Sequence, residues 1–152
     1  MEDLSLHILD IVENSLRSDA KVIEISVVED EEQDLLTLEI KDDGRGMDPE
    51  KAKRAADPFF TTKPGRRFGL GLALLAQAAR EAGGAFGISS SPGAGTTVRA
   101  TFGYGHPDRK PLGDIPATLQ TLVAGHPEVG FVYEHRRGAE ITRLDTREVA
   151  RP

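Results

Sequence analysis

Apolar side chains recur at helical spacing near the start of the chain. On a helix that turns about 100° per residue, they gather on one side of residues 3–17, and polar side chains occupy the other side. The apolar side comprises Leu4, Ile8, Leu9, Ile11, Val12 and Leu16, and Leu6 is the one apolar residue outside it. The segment is therefore predicted to be an amphipathic helix with one buried face.

Strict alternation of side chains follows in residues 21–29 and 35–41. Every second residue is apolar in both segments: Ile23, Ile25 and Val27 in the first, and Leu36, Leu38 and Ile40 in the second. A period of two is typical of strands with one buried face. The acidic stretch between them reads as a solvated turn, so the two strands are predicted to form a hairpin.

The rest of the chain divides into further elements and one aperiodic stretch. In order they are a short helix at 49–56, no periodicity at 57–68, an Ala- and Leu-rich helix at 70–82, a hairpin at 85–102, a helix at 114–124 and a hairpin at 131–144. Gly83 and Gly84 stop the third helix. This order predicts an α+β fold with a mainly hairpin-built sheet, helices on one face, and a C-terminal helix plus hairpin.

Composition narrows the class of protein. A chain of 152 residues has room for one domain with a proper core, and it contains no Cys, which excludes a disulfide scaffold and thiolate metal sites. No apolar run is long enough to span a membrane, and the acidic start is unlike a signal peptide. The net charge of −6 argues against binding nucleic acid through the overall field. We expect a cytoplasmic protein without a nucleic-acid or membrane partner.

One stretch reverses the acidic balance. Residues 45–67 carry seven basic side chains and only three acidic ones. A local positive excess on an acidic protein favours a specific anion site, although a solvated helix face followed by a loop would look similar.

Several polar residues are not needed for the hydrophobic periodicity. Asp10, Asn14 and Arg17 are spaced four and three apart, so they project from one face of the first helix, as on any surface helix or toward a common ligand. Asp42 ends a strand beside Gly44 and Gly46, which lets the backbone approach a ligand closely. The sequence has no Walker phosphate loop and no HExxH metal motif.

Four motifs, in this order and at these distances, resemble the N, G1, F and G2 boxes of the GHKL superfamily of ATP-binding proteins. They are DIVENS (10–15), DDGRGM (42–47), DPFFTTK (57–63) and FGLGLAL (68–74). SSPGAGTTVRATF (90–102) is also similar to the last hairpin of the histidine-kinase catalytic domain. The resemblance covers residues 4–103 and implies the Bergerat fold, a two-layer α/β sandwich with a mixed sheet that holds ATP under a lid.

The resemblance implies a role for each matching residue. Asn14 would ligate Mg²⁺ bridging the phosphates, and Asp42 would accept the adenine amino hydrogen, which selects ATP over GTP. Asp10 stands where the ATPases of the superfamily place a general-base Glu, but it is one methylene shorter, which leaves ATP hydrolysis open. The remaining nucleotide contacts implied by the motifs are Arg17, Gly44, Gly46, Met47, Phe59, Thr62, Lys63, Gly69, Leu70, Gly71, Leu72 and Thr97.

The chain differs from the histidine kinases at both ends. The first motif begins at residue 10 of this sequence, so we expect no dimerisation and phosphoacceptor domain before it. His7 lies inside the nucleotide-facing helix, and we do not expect it to accept phosphate. The tail from Tyr104 is not part of the family pattern. We therefore divide the chain into an ATP-binding domain, 1–103, and a C-terminal extension, 104–152, for docking on the domain, homodimer formation or partner binding.

Three functions are compatible with these features. The favoured one is a stand-alone, Mg²⁺-dependent ATP-binding protein of the histidine-kinase type that transfers phosphate to a separate protein partner. The alternative is a regulatory binding module, similar to the anti-sigma proteins, in which ATP or ADP changes the affinity for a partner with little turnover. A slow ATPase with a clamp-like dimer cycle is less favoured, because the transducer domain of the gyrase and mismatch-repair relatives does not fit in residues 104–152.

Overall fold

Six strands and five helices make up the described residues, 3–55 and 70–149, of the computed structural model. The helices are α1 (Leu4–Arg17), α2 (Pro49–Ala55), α3 (Leu70–Glu81), α4 (Ile115–Gly125) and α5 (Thr146–Val149). The strands are β1 (Val22–Asp30), β2 (Leu35–Asp42), β3 (Phe86–Ser90), β4 (Thr96–Gly103), β5 (Gly130–Arg137) and β6 (Glu140–Asp145). All the predicted helices and hairpins are present, and α5 is an element that the periodicity did not predict.

The strands form one mixed sheet in the order β3-β4-β2-β1-β5-β6. Neighbouring strands are antiparallel except for β1 and β5, which are parallel, with Ile25 opposite Tyr133. Ile25 also pairs with Ile40 of β2, which in turn pairs with Val98 of β4. This register brings the alternating apolar residues to one face of the sheet, so the predicted α+β class with a mixed sheet is confirmed.

Helices cover that apolar face. Ile8, Ile11 and Val12 of α1 are buried in one cluster with side chains of α3, α4 and the strands. Leu6, the exception to the predicted apolar face, is 44% exposed. The carboxylate of Asp3 caps α1 by accepting the N–H of Leu6 at 3.1 Å, which satisfies a free donor of the first turn. Among the described helices, none is long and apolar enough to cross a membrane.

The residues after Tyr104 share the sheet and the core with the rest of the chain. Phe131 of β5 is opposite Ile23 of β1 and is 1% exposed. The backbone N–H groups of Leu4 and Ser5 bond to the carbonyls of Pro111 and Leu112 at 2.8 and 3.0 Å. The C-terminal extension therefore packs on the start of α1 and lengthens the sheet by two strands.

Candidate functional site

Asp42, the last residue of β2, is a buried carboxylate at the end of the central hairpin. Its Oδ2 accepts a hydrogen bond from the hydroxyl of Ser15 at 2.6 Å, and its Oδ1 accepts the backbone N–H of Gly44 at 2.9 Å. Only 8% of Asp42 is exposed. Two donors from different elements thus fix the orientation of the carboxylate, and each oxygen keeps a second lone pair for another donor.

The loop after Asp42 is held against the C-terminal end of α1. The backbone N–H of Arg45 bonds to the Ser18 carbonyl at 2.9 Å, and the Arg45 guanidinium bonds to the Arg17 carbonyl at 2.8 Å. A Cβ on Gly44 would lie 2.7 Å from the Ser18 carbonyl oxygen. Glycine is therefore required at this position by the close approach of two backbones.

The same loop interlocks with the turn between β3 and β4. Gly46 has a φ of 74°, and a Cβ there would overlap the carbonyl of Ser91. The N–H of Met47 donates to the hydroxyl of Ser90 at 2.7 Å, and a Cβ on Gly95 would overlap the carbonyl of Asp42. The absence of a side chain at Gly46 thus allows the 42–47 loop to pack tightly against the β3–β4 hairpin.

Asp43, next to the buried carboxylate, turns the opposite way and anchors the start of β1. Its Oδ1 accepts the backbone N–H groups of Lys21 and Val22 at 2.8 and 3.0 Å. The N–H of Val22 first, and that of Lys21 with it, hold the pKa of Asp43 below its ordinary value against the opposing effect of burial. The adjacent aspartates therefore have different tasks: Asp43 is used structurally, and Asp42 retains acceptor capacity.

The polar face of α1 carries the three residues predicted from their spacing. Asp10 and Arg17 are exposed and Asn14 is half-buried, and the Asn14 amide oxygen accepts a hydrogen bond from Arg17 at 3.3 Å. Gly71, in the first turn of α3, packs directly on Asp10, since a Cβ on the glycine would lie 3.1 Å from the Asp10 Cβ. The close approach brings the N-terminal turn of α3 beside the face that carries Asp10 and Asn14.

The described residues do not include every predicted site residue. Phe59, Thr62, Lys63 and Gly69 fall outside the described residues, as does the side chain of Leu70. Leu72 is buried in the core cluster, one residue after Gly71. Of the predicted set, the structure therefore gathers Asp10, Asn14, Arg17, Asp42, Gly44, Gly46, Met47 and Gly71 around the junction of α1, the 42–47 loop and α3.

Thr97 and its neighbour Thr96 lie on opposite faces of the sheet. Thr96 pairs with Asp42, on the face that Val98 and Ile40 share with the helices, whereas Thr97 pairs with the exposed Lys41. The hydroxyl of Thr96 is 2.8 Å from that of Ser90. The register therefore favours Thr96 over the predicted Thr97 as a neighbour of the Asp42 carboxylate.

Sequence reasoning missed Ser15 and Ser90 as well as Thr96. Ser15 could have been found, because it follows Leu4, Ile8 and Ile11 at helical spacing and so lies on the apolar face of α1, where a buried hydroxyl needs a partner. Thr96 could have been found by extending the alternation of Val98, Ala100 and Phe102 backwards by one step. No local pattern marks Ser90, since its contacts depend on where the 42–47 loop meets the hairpin.

The arrangement fits a nucleotide with magnesium better than a metal held by protein alone. Among the described residues, no cluster of three His, Asp or Glu side chains is arranged to hold a metal ion. Mg²⁺ in phosphate sites usually keeps several waters and takes one or two protein ligands plus phosphate oxygens. The amide oxygen of Asn14, at the surface of α1, can supply such a single ligand.

The family is established by a model that matches most of the chain. Histidine kinase-, DNA gyrase B- and HSP90-like ATPases match residues 2–105. The chain belongs to this family, and the resemblance carried by the four motifs is confirmed. It is an ATP-binding domain of the GHKL type, related to the histidine kinases.

Two bacterial kinases illustrate the sequence similarity. The sensor histidine kinase YxdK of Bacillus subtilis (strain 168) is 42% identical over 84 residues, which cover 53% of this chain and 25% of that kinase. Sporulation kinase E of the same organism is 39% identical over 71 residues, which cover 47% of this chain and 10% of that kinase. The matched region is thus a quarter or less of either relative.

Solved structures show the shared fold. The N-terminal domain of a DNA repair protein superposes with a TM-score of 0.68 at 16% identity, covering 95% of this chain and 53% of that chain. The MutL ATPase domain of Aquifex aeolicus complexed with ADP gives 0.58 at 17% identity, covering 93% of this chain and 63% of that chain. Coverage of this extent reaches well into residues 104–152, so α4 and the strands after it belong to a fold that these two domains share.

Proposed function

We propose that the chain binds Mg-ATP at the junction of α1, the 42–47 loop and the first turn of α3, and transfers the γ-phosphoryl group to a separate protein partner. The observation that carries the proposal is the buried carboxylate of Asp42, which Ser15 and Gly44 orient. Because Ser15 is part of α1, its hydrogen bond joins this carboxylate to the helix that carries Asp10 and Asn14. A buried carboxylate with unused acceptor capacity is costly unless a donor arrives, which supports a ligand there.

The Asp42 carboxylate suits adenine. An exocyclic amino group can donate to it, whereas guanine presents a carbonyl oxygen at the same ring position and would leave the carboxylate unpaired. A site whose buried acceptor is placed to receive a hydrogen bond strongly rejects an analogue that lacks the donor, because the acceptor is then left without a partner. Discrimination against GTP follows from this chemistry.

Asn14 and Arg17 suit the phosphate end of the nucleotide. Asn14 would offer its amide oxygen to Mg²⁺, which neutralises phosphate charge when bound. The Arg17 guanidinium, exposed and beside Asn14, can bond to phosphate oxygens. The first turn of α3 adds free backbone N–H groups and the positive end of a helix dipole.

Asp10 is our candidate for handling the proton. In the transfer, the bond between the γ-phosphorus and the bridging oxygen of ADP breaks, and a bond to the acceptor atom of the partner forms. The acceptor loses its proton in this exchange, and the Asp10 carboxylate, one helical turn from Asn14 on the same face, would take it.

The test replaces the carboxylate by its near-isostere. Asp10→Asn keeps shape but cannot take a proton, so phosphotransfer or turnover should fall at least about tenfold while ATP affinity changes by less than about threefold. Transfer of labelled phosphate from ATP to the partner, or formation of ADP over many turnovers, measures the rate, and calorimetric ATP titration measures the affinity. Glu13→Gln, an exposed acid of the same helix, is the matched control and should change neither. Equal rates in wild type and Asp10→Asn would remove Asp10 from the reaction.

A second candidate function is a regulatory binding module with little turnover. The observation that favours it is that Asp10 is a short carboxylate whose Cβ lies directly against Gly71, which limits its reach. In that case ATP and ADP would make different contacts with this protein and so favour different conformations, which would differ in their affinity for a protein partner. Absence of both phosphoryl transfer and ADP formation with any candidate partner, together with different partner affinities in ATP and ADP, would select this function over the kinase.

A further inference from the structure

Strand β3 is an edge of the described sheet with backbone groups directed outward. The reciprocal hydrogen bonds between Ala85 and Thr101, 3.2 and 2.8 Å long, set the phase of the β3–β4 ladder. In an antiparallel pair the bonded residues alternate, so the N–H and C=O groups of Phe86, Ile88 and Ser90 point away from β4. Within residues 3–55 and 70–149, no backbone group bonds to them.

A groove of about 420 Å³ runs between this edge and helix α2. Its floor and walls combine apolar groups from Ala52 and Ile88 with the hydroxyl-bearing residues Ser89, Ser91 and Thr97. It does not include Asp10, Asn14 or Asp42, but Ser90, Gly95 and the predicted contact Thr97 line it, so the groove adjoins the nucleotide site described above from the side of the sheet edge. A concave strip beside a free strand edge has the form used to bind extended peptides by strand addition.

The charge of the groove is positive. Lys53 is the one charged residue that lines it in the described part of the chain, and the exposed Lys51 and Arg54 of α2 lie on the same helix. No carboxylate lines the groove there. Its electrostatics therefore select an acidic partner, although the protein as a whole carries a net charge of −6.

We propose that an extended acidic segment of a protein partner adds to β3 as a further strand and places a carboxylate side chain in the groove against Lys53. The outward N–H and C=O groups of Phe86 and Ile88 supply main-chain hydrogen bonds, and Lys53 with the neighbouring serine hydroxyls supplies selectivity. The inference stands without the proposed phosphotransfer, because the outward backbone groups of β3 and the side chain of Lys53 belong neither to the Asp42 acceptor nor to the Asp10–Asn14 face.

A second copy of the chain is a poorer occupant of this edge. Two-fold antiparallel pairing of two β3 strands preserves the direction of the sheet normal, so both α2 helices would lie on the same face beside the joint. The lysines of the two helices would then approach each other, and like charges at an interface are unfavourable. An acidic strand relieves that repulsion instead.

The experiment uses the full chain and a designed probe. The probe is a fluorescein-labelled peptide of about eight residues in which Val alternates with Glu, long enough for one strand. Two comparison peptides replace every Glu by Lys, or carry N-methyl groups on alternate residues so that one edge cannot hydrogen-bond. Fluorescence anisotropy gives the affinity, and amide hydrogen exchange of residues 86–90 gives the location.

Lys53→Glu should weaken binding of the acidic peptide at least about tenfold and improve binding of the basic peptide. Lys51→Glu makes the same charge change on the same helix outside the groove, so it should change the affinity less than about threefold. N-methylation should abolish binding, and the acidic peptide should slow exchange at Phe86 and Ile88.

Several outcomes would overturn the proposal. Absence of binding up to about 1 mM peptide would do so, as would equal weakening by Lys51→Glu and Lys53→Glu, or unchanged affinity of the N-methylated peptide. Protection of residues 86–90 that rises with protein concentration in the absence of peptide would assign the edge to a second copy.

Discussion

At Asp42, a single hydroxyl decides how a buried carboxylate is presented. Ser15 lies on α1 and Asp42 on β2, and their 2.6 Å hydrogen bond joins the helix that carries Asn14 to the strand end. Ser15 is itself buried, so the bond is shielded from water. Ser15 therefore positions the proposed adenine acceptor without itself being required to touch the nucleotide.

Ser15→Ala should weaken ATP binding by roughly tenfold, since loss of one hydrogen bond to a buried charged group costs about 1.5 kcal/mol. Calorimetric titration with ATP measures the effect, and Asp42→Ala should be weaker still. Ser5→Ala is the control, because Ser5 is also buried on α1 but bonds to Asp3 at the opposite end of the helix. ATP affinity unchanged in Ser15→Ala would mean that the carboxylate is held well enough by Gly44.

The candidate site was predictable residue by residue only where a motif names the residue type. Asp42 and Asn14 were found from the motifs, but Ser15 and Thr96 act through partners that are distant in sequence. The hydroxyl of Ser15 meets Asp42 across 27 residues, and Thr96 meets it only through the β2–β4 register. The alternation of Val98, Ala100 and Phe102 predicts the face on which Thr96 lies, but only the pairing of β4 with β2 places it opposite Asp42.

At the scale of elements, the 42–47 loop and the β3–β4 turn form one interlocked unit. Gly46 and Gly95 both have positive φ, and each leaves room for a carbonyl of the facing segment. The backbone N–H of Gly93 bonds to the Arg45 carbonyl at 2.7 Å. The position of the proposed adenine site therefore depends on a turn that is far from it in sequence.

Gly95→Ala should destabilise the protein more than Gly93→Ala and should also weaken ATP binding. Both residues have φ near +79°, so both substitutions incur about 1–2 kcal/mol of backbone strain. A Cβ at Gly93 meets nothing within 4 Å, whereas one at Gly95 overlaps the Asp42 carbonyl. Overpacking there adds about 1–3 kcal/mol and displaces Asp42. Urea unfolding and ATP titration measure both effects, and equal losses of stability in the two variants would contradict the interlock.

The last helix is tied to the sheet by a carboxylate that the periodicity did not reveal. The side chain of Asp145 accepts hydrogen bonds from the backbone N–H, Nε and Nη2 of Arg147, at 3.0, 3.0 and 2.8 Å. The Arg147 guanidinium first, and its backbone N–H with it, lower the pKa of Asp145 from 3.8 to about 2.

This carboxyl binds its proton more weakly in the folded chain than in the unfolded chain. The stability that it contributes is therefore present above pH 3.8 and is lost as the pH falls toward about 2. Asp145→Asn should lower the free energy of unfolding near pH 7, and the difference from wild type should vanish as the pH approaches 2. Urea unfolding between pH 7 and about 2 measures this, with the exposed Asp108→Asn as control. A difference independent of pH would show that the charge of Asp145 is not what stabilises the turn.

At the scale of the whole molecule, the arrangement of the strands was harder to predict than the strands themselves. The hairpins β1–β2 and β3–β4 follow from alternation and turn residues, because their partners are close in sequence. The parallel pairing of β1 with β5 joins residues more than a hundred positions apart, such as Ile23 and Phe131, and no local pattern specifies it. The two strands pair because each has apolar side chains to bury and an edge whose backbone N–H and C=O groups need partners, and the other strand supplies those partners.

That pairing raises the question of whether residues 104–152 form a separate unit, as the sequence suggested, or part of one cooperative fold. Phe131 is 1% exposed in the same core cluster as Ile23 of β1 and Leu4 of α1. Removing its ring should cost about 3–5 kcal/mol, a large part of the 5–15 kcal/mol typical of a whole domain. If the core is one cooperative unit, the substitution lowers the hydrogen-exchange protection of every helix and strand packed on it by the same free energy.

Phe131→Ala should therefore lower the hydrogen-exchange protection of β2, which β1 separates from β5 in the sheet, by the same free energy as that of β5 itself. Unfolding by urea should remain a single transition, with loss of circular dichroism and loss of ATP binding at the same midpoint. Ile141→Ala, in the neighbouring β6 but 54% exposed, should change stability by less than about 0.5 kcal/mol. If instead Phe131→Ala opens only residues 115–145, leaving β2 protected and ATP affinity intact, the extension is a separate docked unit and the ATP-binding part folds without it.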